Sequence, residues 1–151
     1  MRKFIVLGIT GLILWGCNNS NEKLATNKQE ETHATHHHKE SSEAIELNNG
    51  QKWVVNEEMK PFVLKGAELV SIYVQENETD YKELAEKLKE QNNQLIKSCT
   101  MDGKSHDELH KWLHPHLELV KKLENTPNEH TAKEIVLKLQ QSNEMYHRYF
   151  N

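Results

Sequence analysis

The spacing of large apolar residues constrains the fold most strongly. From Leu47 onward they recur at steps of three and four, the period of an amphipathic helix, in four successive segments. Six glycines and three prolines are too few for a turn-rich β architecture. Four helices of similar length with short connections fold most simply as an up-down-up-down four-helix bundle. We therefore predict an all-α fold over residues 46–151.

The first two segments carry recognisable boundary residues. The first runs from about residue 56 to 74, with Asn56 as a plausible N-cap. Pro61 lies late for a first-turn proline, so this helix either begins later or bends there. The second runs from residue 80 to about 99, where Asp80 and Glu83 form a capping-box-like pair. Gly103 is its expected stop. The predicted buried positions of the second segment are Tyr81, Leu84, Ala85, Leu88, Leu95 and Ile96.

The third and fourth segments also show start signals. Ser105 followed by Glu108 three residues later indicates a capping box at the start of the third helix. Pro115 lies within this helix and should kink or break it. The fourth begins with Thr126 as cap, followed by a proline at the first helical position and an acid three residues after the cap.

Several residues outside the candidate site have an ordinary structural interpretation. Trp53 and Trp112 are expected to pack in the core. His114 and His116 flank Pro115 and are expected on a solvated, kinked surface, and His130 is expected to be a surface residue.

The N-terminus has the pattern of an export signal. Two basic residues precede an apolar run over residues 4–15, which is too short for a normal transmembrane helix. The run ends in Leu14-Trp15-Gly16-Cys17, which resembles the lipobox of bacterial lipoproteins. The resemblance implies that residues 1–16 are removed and that Cys17 is diacylated, which anchors the protein to the membrane. In the Gram-negative lipoproteins that this signal resembles, a residue other than Asp after the cysteine directs the protein to the outer membrane, so Asn18 implies a periplasm-facing position there.

Residues 17–45 should form a disordered tether, because they contain almost no large apolar residue. The tether contains a histidine cluster that could capture zinc, copper or nickel, and the alternative is a polar spacer that happens to contain histidine. The clustered residues are His33, His36, His37 and His38.

The formal charge of the whole chain is −4, which argues against nucleic acid as a partner.

A set of potential metal ligands lies around the second connection. In an up-down bundle the end of helix two and the start of helix three share one end, so Cys99, Met101, His106 and His110 can converge. His106 and His110 are neighbours on one helix face. A thiolate, a thioether and two imidazoles suit copper, especially Cu(I), and zinc is the alternative. Blue-copper proteins use the same ligand types, although their fold and spacing differ.

The cysteine count agrees with this interpretation. If Cys17 is acylated, Cys99 is the one remaining thiol in an oxidising compartment, with no partner for a disulfide. An exported lone thiol is explained by metal binding, by redox chemistry or by burial as an inert core residue.

Two further resemblances cover parts of the domain. Residues 47–53 and 99–110, with Trp112, Leu113 and Pro115, resemble a group of small bacterial envelope lipoproteins, which implies no particular activity. The ending Met145-Tyr146-His147-Arg148-Tyr149-Phe150 resembles that of soluble four-helix b-type cytochromes. That resemblance implies haem b with His147 and Met59 as axial ligands. Met59, Met145 and His147 could alternatively enlarge a copper site at that end.

The sequence contains no recognisable catalytic set: no nucleophile–base arrangement, no glycine-rich phosphate loop and no HExxH motif. We therefore predict a non-enzymatic envelope lipoprotein that binds copper and sequesters it or passes it to an envelope metal-transport protein. The alternatives are a haem-binding electron carrier and a lipoprotein that binds another protein without metal.

Overall fold

The computed structural model describes residues 44–151, and the described chain is built from four α-helices. This confirms the predicted all-α four-helix bundle. The helices are α1 (Lys60–Gln75), α2 (Tyr81–Lys97), α3 (Gly103–Asn125) and α4 (Glu129–Tyr149).

The helices pack in chain order. Each helix contacts the next one, and α1 also contacts α4, which closes the bundle. The connections are only three to five residues long, so consecutive helices run antiparallel. Among these four helices, none is both long enough and apolar enough to cross a bilayer.

The interior consists of two separate hydrophobic clusters. One includes Met59, Leu95, Leu109 and Phe150, so it joins the start of α1, the end of α2, the start of α3 and the end of α4. This is the shared end that the topology predicts. The other cluster fills the opposite end.

Buried polar residues lie between the two clusters. On α2, Leu88 belongs to one cluster and Leu95 to the other, with Asn92 between them. His116 on α3 and Asn143 on α4 occupy the equivalent places. We call Asn92, His116 and Asn143 the mid-bundle polar layer. Because polar groups are costly to bury unless they are hydrogen-bonded, this layer is where the bundle departs from a simple apolar core.

The residues before α1 are not helical, contrary to the expectation that helical periodicity begins at Leu47. Asn48 and Gln51 exchange two backbone hydrogen bonds around Asn49 and Gly50, which both have positive φ, as a two-residue hairpin turn requires. The chain then runs beside the C-terminus, where the Trp53 N–H donates to a backbone carbonyl of the last helical residue at 2.8 Å.

Residues 44–59, which we call the lead-in segment, belong to the packed domain. Trp53 is buried, as predicted, and Val55 is fully buried. Ile45 also belongs to the core cluster at this end, one residue before the predicted start of the domain. The lead-in therefore covers one end of the bundle with apolar side chains.

The first helix begins later than residue 56, which is one of the two possibilities that the position of Pro61 left open. Helix α1 begins at Lys60, so Pro61 lies within its first turn, where a missing N–H removes no helical hydrogen bond. Asn56 is not the N-cap. Its side chain instead bonds the connection between α2 and α3, as described below.

The boundary between α2 and α3 also differs from the prediction. Asp80 caps α2 by accepting the Glu83 N–H at 2.9 Å, as predicted. However, α2 ends at Lys97, and Gly103 is the first residue of α3 instead of the stop of α2. Ile96 is half exposed, not buried.

The capping box predicted at Ser105 does not form. The Ser105 hydroxyl donates to the carbonyl of Asp102, and Glu108 is buried in other contacts. Pro115 does not break α3, which continues through it as one helix. A proline removes only one helical hydrogen bond, and the packing on both sides of Pro115 keeps the helix continuous.

The N-cap of α4 lies two residues later than predicted. Asn128, not Thr126, caps the helix, and its side chain accepts the Thr131 N–H at 2.9 Å. Thr126 is buried in the connection, and its carbonyl accepts the Lys82 ammonium at 3.1 Å. Pro127 therefore precedes the cap instead of starting the helix.

Candidate functional site

A row of three imidazoles runs along one side of α3. His106, His110 and His114 are spaced four residues apart, so they lie on successive turns of the same helix face. The ring centroids of His106 and His110 are 4.2 Å apart, and those of His110 and His114 are 4.8 Å apart. The pair predicted as metal ligands is thus brought together. His114 is exposed, as predicted, and it continues the row because α3 stays intact at Pro115.

The two sulfur residues lie on the connection that leads into this row. Cys99 and Met101 are both partly buried and pack against the core cluster at this end. Cys99 is a free thiol whose N–H donates to the carbonyl of Ile96 at 3.2 Å. These two residues therefore lie just before α3 in the chain and pack against the apolar interior.

Asn56 fixes the position of this connection. Its Nδ2 donates to the carbonyl of Ser98 at 3.2 Å, and its Oδ1 accepts the Thr100 N–H at 3.4 Å. One side chain from the lead-in thus bonds the backbone on both sides of Cys99. The connection carrying the sulfur residues is held against the rest of the domain.

The four predicted ligands do not form a complete metal site. Within residues 44–151, no set of three or more His, Cys, Asp or Glu side chains is arranged to hold a metal ion. His106 and His110 form a pair, but Cys99 does not join them as a third ligand. The predicted donor types suit a soft transition metal, and His106 and His110 are the two of them whose side chains the structure places in contact.

The residues of the haem alternative lie in different environments. Met59 is fully buried in the core cluster, whereas His147 and Met145 are exposed on α4. The His147 ring meets the ring of Tyr146 edge-on at 5.6 Å. The described chain therefore does not present Met59 and His147 as two open axial positions.

His116 was expected on the surface, and this prediction was wrong. It is buried, with its Nδ1 3.0 Å from the hydroxyl of Ser142 and its ring stacked on Trp112 at 5.0 Å. Burial lowers the pKa of His116 to about 4, so it is neutral at physiological pH. The Trp112 indole N–H donates to the carbonyl of Ser142 at 2.8 Å. Ser142 on α4 therefore bonds Trp112 through its backbone and His116 through its hydroxyl.

The sequence did contain a signal for this burial. His116 lies four residues after Trp112 and four before Val120, which are both buried, so it belongs to the apolar face of α3. Asn92 is similarly placed between Leu88 and Leu95 on α2. The spacing alone could have identified both as interior polar residues.

Other predicted residues have simpler outcomes. Trp112 is buried and His130 is highly exposed, as expected. The lipobox with Cys17 and the tether histidines of residues 33–38 lie outside the described residues.

Comparisons with protein-family models, curated proteins and solved structures found no match to this chain.

Proposed function

We propose that this chain is a lipid-anchored envelope protein that binds a transition-metal ion, with copper preferred over zinc. It sequesters the ion or passes it to an envelope metal-transport protein. The observation that carries the proposal is the 4.2 Å approach of the His106 and His110 rings on successive turns of α3. Imidazoles at i and i+4 can coordinate one ion together, and imidazole is a preferred ligand of copper and zinc.

Sulfur ligands give the preference for Cu(I). Cys99 and Met101 precede His106 by seven and five residues, on the connection that enters α3. A thiolate or thioether that joins the imidazole pair selects Cu(I) over harder cations. Joining requires a side-chain rotation out of the core contact, and both side chains are only partly buried. Metal binding would therefore draw these residues away from the apolar cluster.

The anchor and the tether complete the proposal. The lipobox supports acylation of Cys17, and the histidines of residues 33–38 would raise the local metal concentration. Where the described chain begins, the carbonyl of Ala44 accepts the Lys111 ammonium at 3.4 Å. Ala44 thus lies beside α3, the same helix that carries the imidazole row.

The test is a Cu(I) titration of the full chain against a competing chelator. To remove binding by the tether, His33, His36, His37 and His38 are replaced by alanine in every variant. We expect one Cu(I) per chain, with the affinity reduced at least about tenfold in His106→Ala. His130→Ala is the matched control, because it removes an exposed helical histidine outside the row. Equal affinities for these two variants would contradict the proposal.

Cys99→Ser separates this proposal from a lipoprotein that binds another protein without metal. The metal proposal predicts a loss of Cu(I) affinity in this variant, because serine is a poor ligand for a soft ion. A protein-binding function predicts only a small packing effect, since Cys99 is partly buried. The haem alternative predicts instead an intense haem absorption band in the protein as isolated.

A further inference from the structure

The imidazole row on α3 extends one helical turn beyond the pair assigned to the metal. His114 follows His110 by four residues, just as His110 follows His106, so the three side chains lie on successive turns. The ring centroids of the first pair are 4.2 Å apart with planes inclined by 58°, and those of the second are 4.8 Å apart with planes inclined by 52°. The second pair therefore repeats the arrangement of the first.

The two pairs differ in their exposure to solvent. His106 and His110 are half-buried, whereas His114 is exposed. Because α3 continues through Pro115, His114 keeps its helical position one turn after His110. The row thus runs from half-buried side chains near the start of α3 to an exposed one in the middle of the helix.

A single ion cannot bind all three imidazoles at once. His106 and His114 are eight residues apart, which places them about 12 Å apart along the helix axis. A metal–nitrogen bond is only about 2 Å long. In agreement with this spacing, no group of three or more His, Cys, Asp or Glu side chains among residues 44–151 is arranged to hold an ion. His110 belongs to both pairs, so the row offers two alternative positions for one ion instead of two independent sites.

The ligands available at the two positions are different. The inner position, formed by His106 and His110, lies just after the connection that carries Cys99 and Met101. The outer position, formed by His110 and His114, lies further along α3, which contains no cysteine or methionine. Sulfur favours Cu(I), whereas imidazole alone also suits zinc and nickel. The outer position is therefore the less selective of the two and the more accessible.

We propose that the His110–His114 pair is a second binding position for the same transition-metal ion, reached from the inner position without release of the ion. His110 stays bound while the bond to the His106 ring breaks and a bond to the His114 ring forms. Both imidazoles are neutral as ligands and the ion keeps its charge, so no electron or proton is transferred. This inference rests on the proposed function, because it gives the ion of that function a solvent-facing position.

The test is a calorimetric titration with Ni²⁺, an ion that imidazole ligands suit. The full chain is used in mild detergent, and every variant has the four tether histidines replaced by alanine and Cys99 by serine. We expect one Ni²⁺ per chain, because the two positions share His110. His106→Ala and His114→Ala should each weaken binding by only about twofold, since one of the two positions remains in each variant.

Removal of the shared imidazole should have a much larger effect. His110→Ala eliminates both positions and should weaken Ni²⁺ binding by about tenfold or more, because a second ligand on the same helix acts at a high effective concentration. The double variant His106→Ala, His114→Ala should weaken binding to a similar extent. His147→Ala is the matched control, since it removes an exposed histidine of α4, and it should change nothing. Circular dichroism verifies the helix content of each variant, which alanine should preserve.

The outcomes separate this inference from the proposed function. If His106→Ala weakens Ni²⁺ binding as much as His110→Ala, or if removal of His114 from His106→Ala causes no further loss, the outer position does not exist and the inference is overturned. The inner pair, and with it the proposed function, would still stand in the first of these cases. Equal Ni²⁺ affinities in all variants would overturn the inference and also contradict the imidazole pair on which the proposed function rests.

Discussion

The carboxylate of Glu108 accepts the backbone N–H of Glu46 at 2.8 Å, although the two residues lie 62 positions apart in the sequence. Glu108 is almost fully buried, and its other oxygen accepts the Lys111 ammonium at 2.8 Å. Burial alone would raise the pKa of Glu108, but Lys111, the Glu46 N–H and the charge of Lys104 together hold it below its ordinary value. The charged carboxylate thus fastens the lead-in segment to α3.

Replacing Glu108 should therefore destabilise the domain and loosen its N-terminal segment. Glu108→Ala leaves the Glu46 N–H without the carboxylate that accepts it and removes the ion pair with Lys111, so we expect the free energy of unfolding to fall by about 2 kcal/mol. Urea denaturation measures this loss, and amide hydrogen exchange should be faster at Glu46 than in the unmodified chain.

Glu46→Gln is the control for this prediction. It removes an exposed carboxylate that lies 3.4 Å from the Lys104 ammonium, and it keeps the backbone N–H that Glu108 receives. Exposed pairs of this kind contribute little, so we expect a change below about 0.5 kcal/mol. A similar loss in both variants would contradict the role given to Glu108.

The buried imidazole of His116 should make stability depend on pH. Its pKa is about 4 in the folded state and 6.5 as the ordinary value, so between these values the unfolded chain binds a proton that the folded chain does not. The stabilisation is complete above pH 6.5 and is lost as the pH falls towards 4. The loss amounts to about 3 kcal/mol, from the difference between the two pKa values.

The measurement compares urea denaturation of the unmodified chain and of His116→Gln at several pH values from 7.5 to 4. Glutamine does not titrate and can still bond Ser142. Carboxylates that titrate in this range contribute equally to the stability of both proteins, so their contribution cancels in the stability difference. We expect the stability difference between the two proteins to change by about 3 kcal/mol over the range. Parallel stability curves would show that His116 is not the group responsible.

Tyr146 offers a substitution that should increase stability. Its ring packs between Trp112 at 4.9 Å and Phe150 at 5.3 Å, but its buried hydroxyl has no hydrogen-bond partner among the described residues. Burial also raises the pKa of Tyr146 to about 12. Tyr146→Phe keeps the ring contacts and removes the unpaired polar atom, so we expect a gain of about 1 kcal/mol in urea denaturation.

Tyr149→Phe is the matched control for Tyr146→Phe, because it removes a hydroxyl from a tyrosine that is only partly buried. We expect little change in the free energy of unfolding of this variant, because a hydroxyl near water can bond water in both the folded and the unfolded state. A loss of stability in Tyr146→Phe would mean that the hydroxyl makes a favourable interaction in solution.

Much of the fold follows from the sequence because helical spacing is a local property. The apolar positions of the four segments and the cap at Asp80 could be identified without the structure. Asn56 and Glu108 were misassigned as capping residues because their side chains bond groups 42 to 62 residues away. Local spacing carries no information about such contacts.

The candidate site was predictable only in part, for the same reason. His106 and His110 are neighbours within one helix, so their approach follows from the sequence. The orientation of Cys99 and Met101 depends on packing against a core built from other helices, which spacing cannot give. His116 was misassigned because Pro115 was expected to kink or break the third helix and leave a solvated surface, whereas α3 continues through it and His116 is buried.

The most direct test of the metal proposal is the X-ray absorption spectrum of the Cu(I)-loaded full chain, with the tether histidines replaced by alanine. Binding by the His106–His110 pair predicts scattering from two imidazole rings together with at least one sulfur. The imidazole signal should disappear in the double variant His106→Ala, His110→Ala. A spectrum without imidazole scattering, or one that the double variant leaves unchanged, would contradict the proposal.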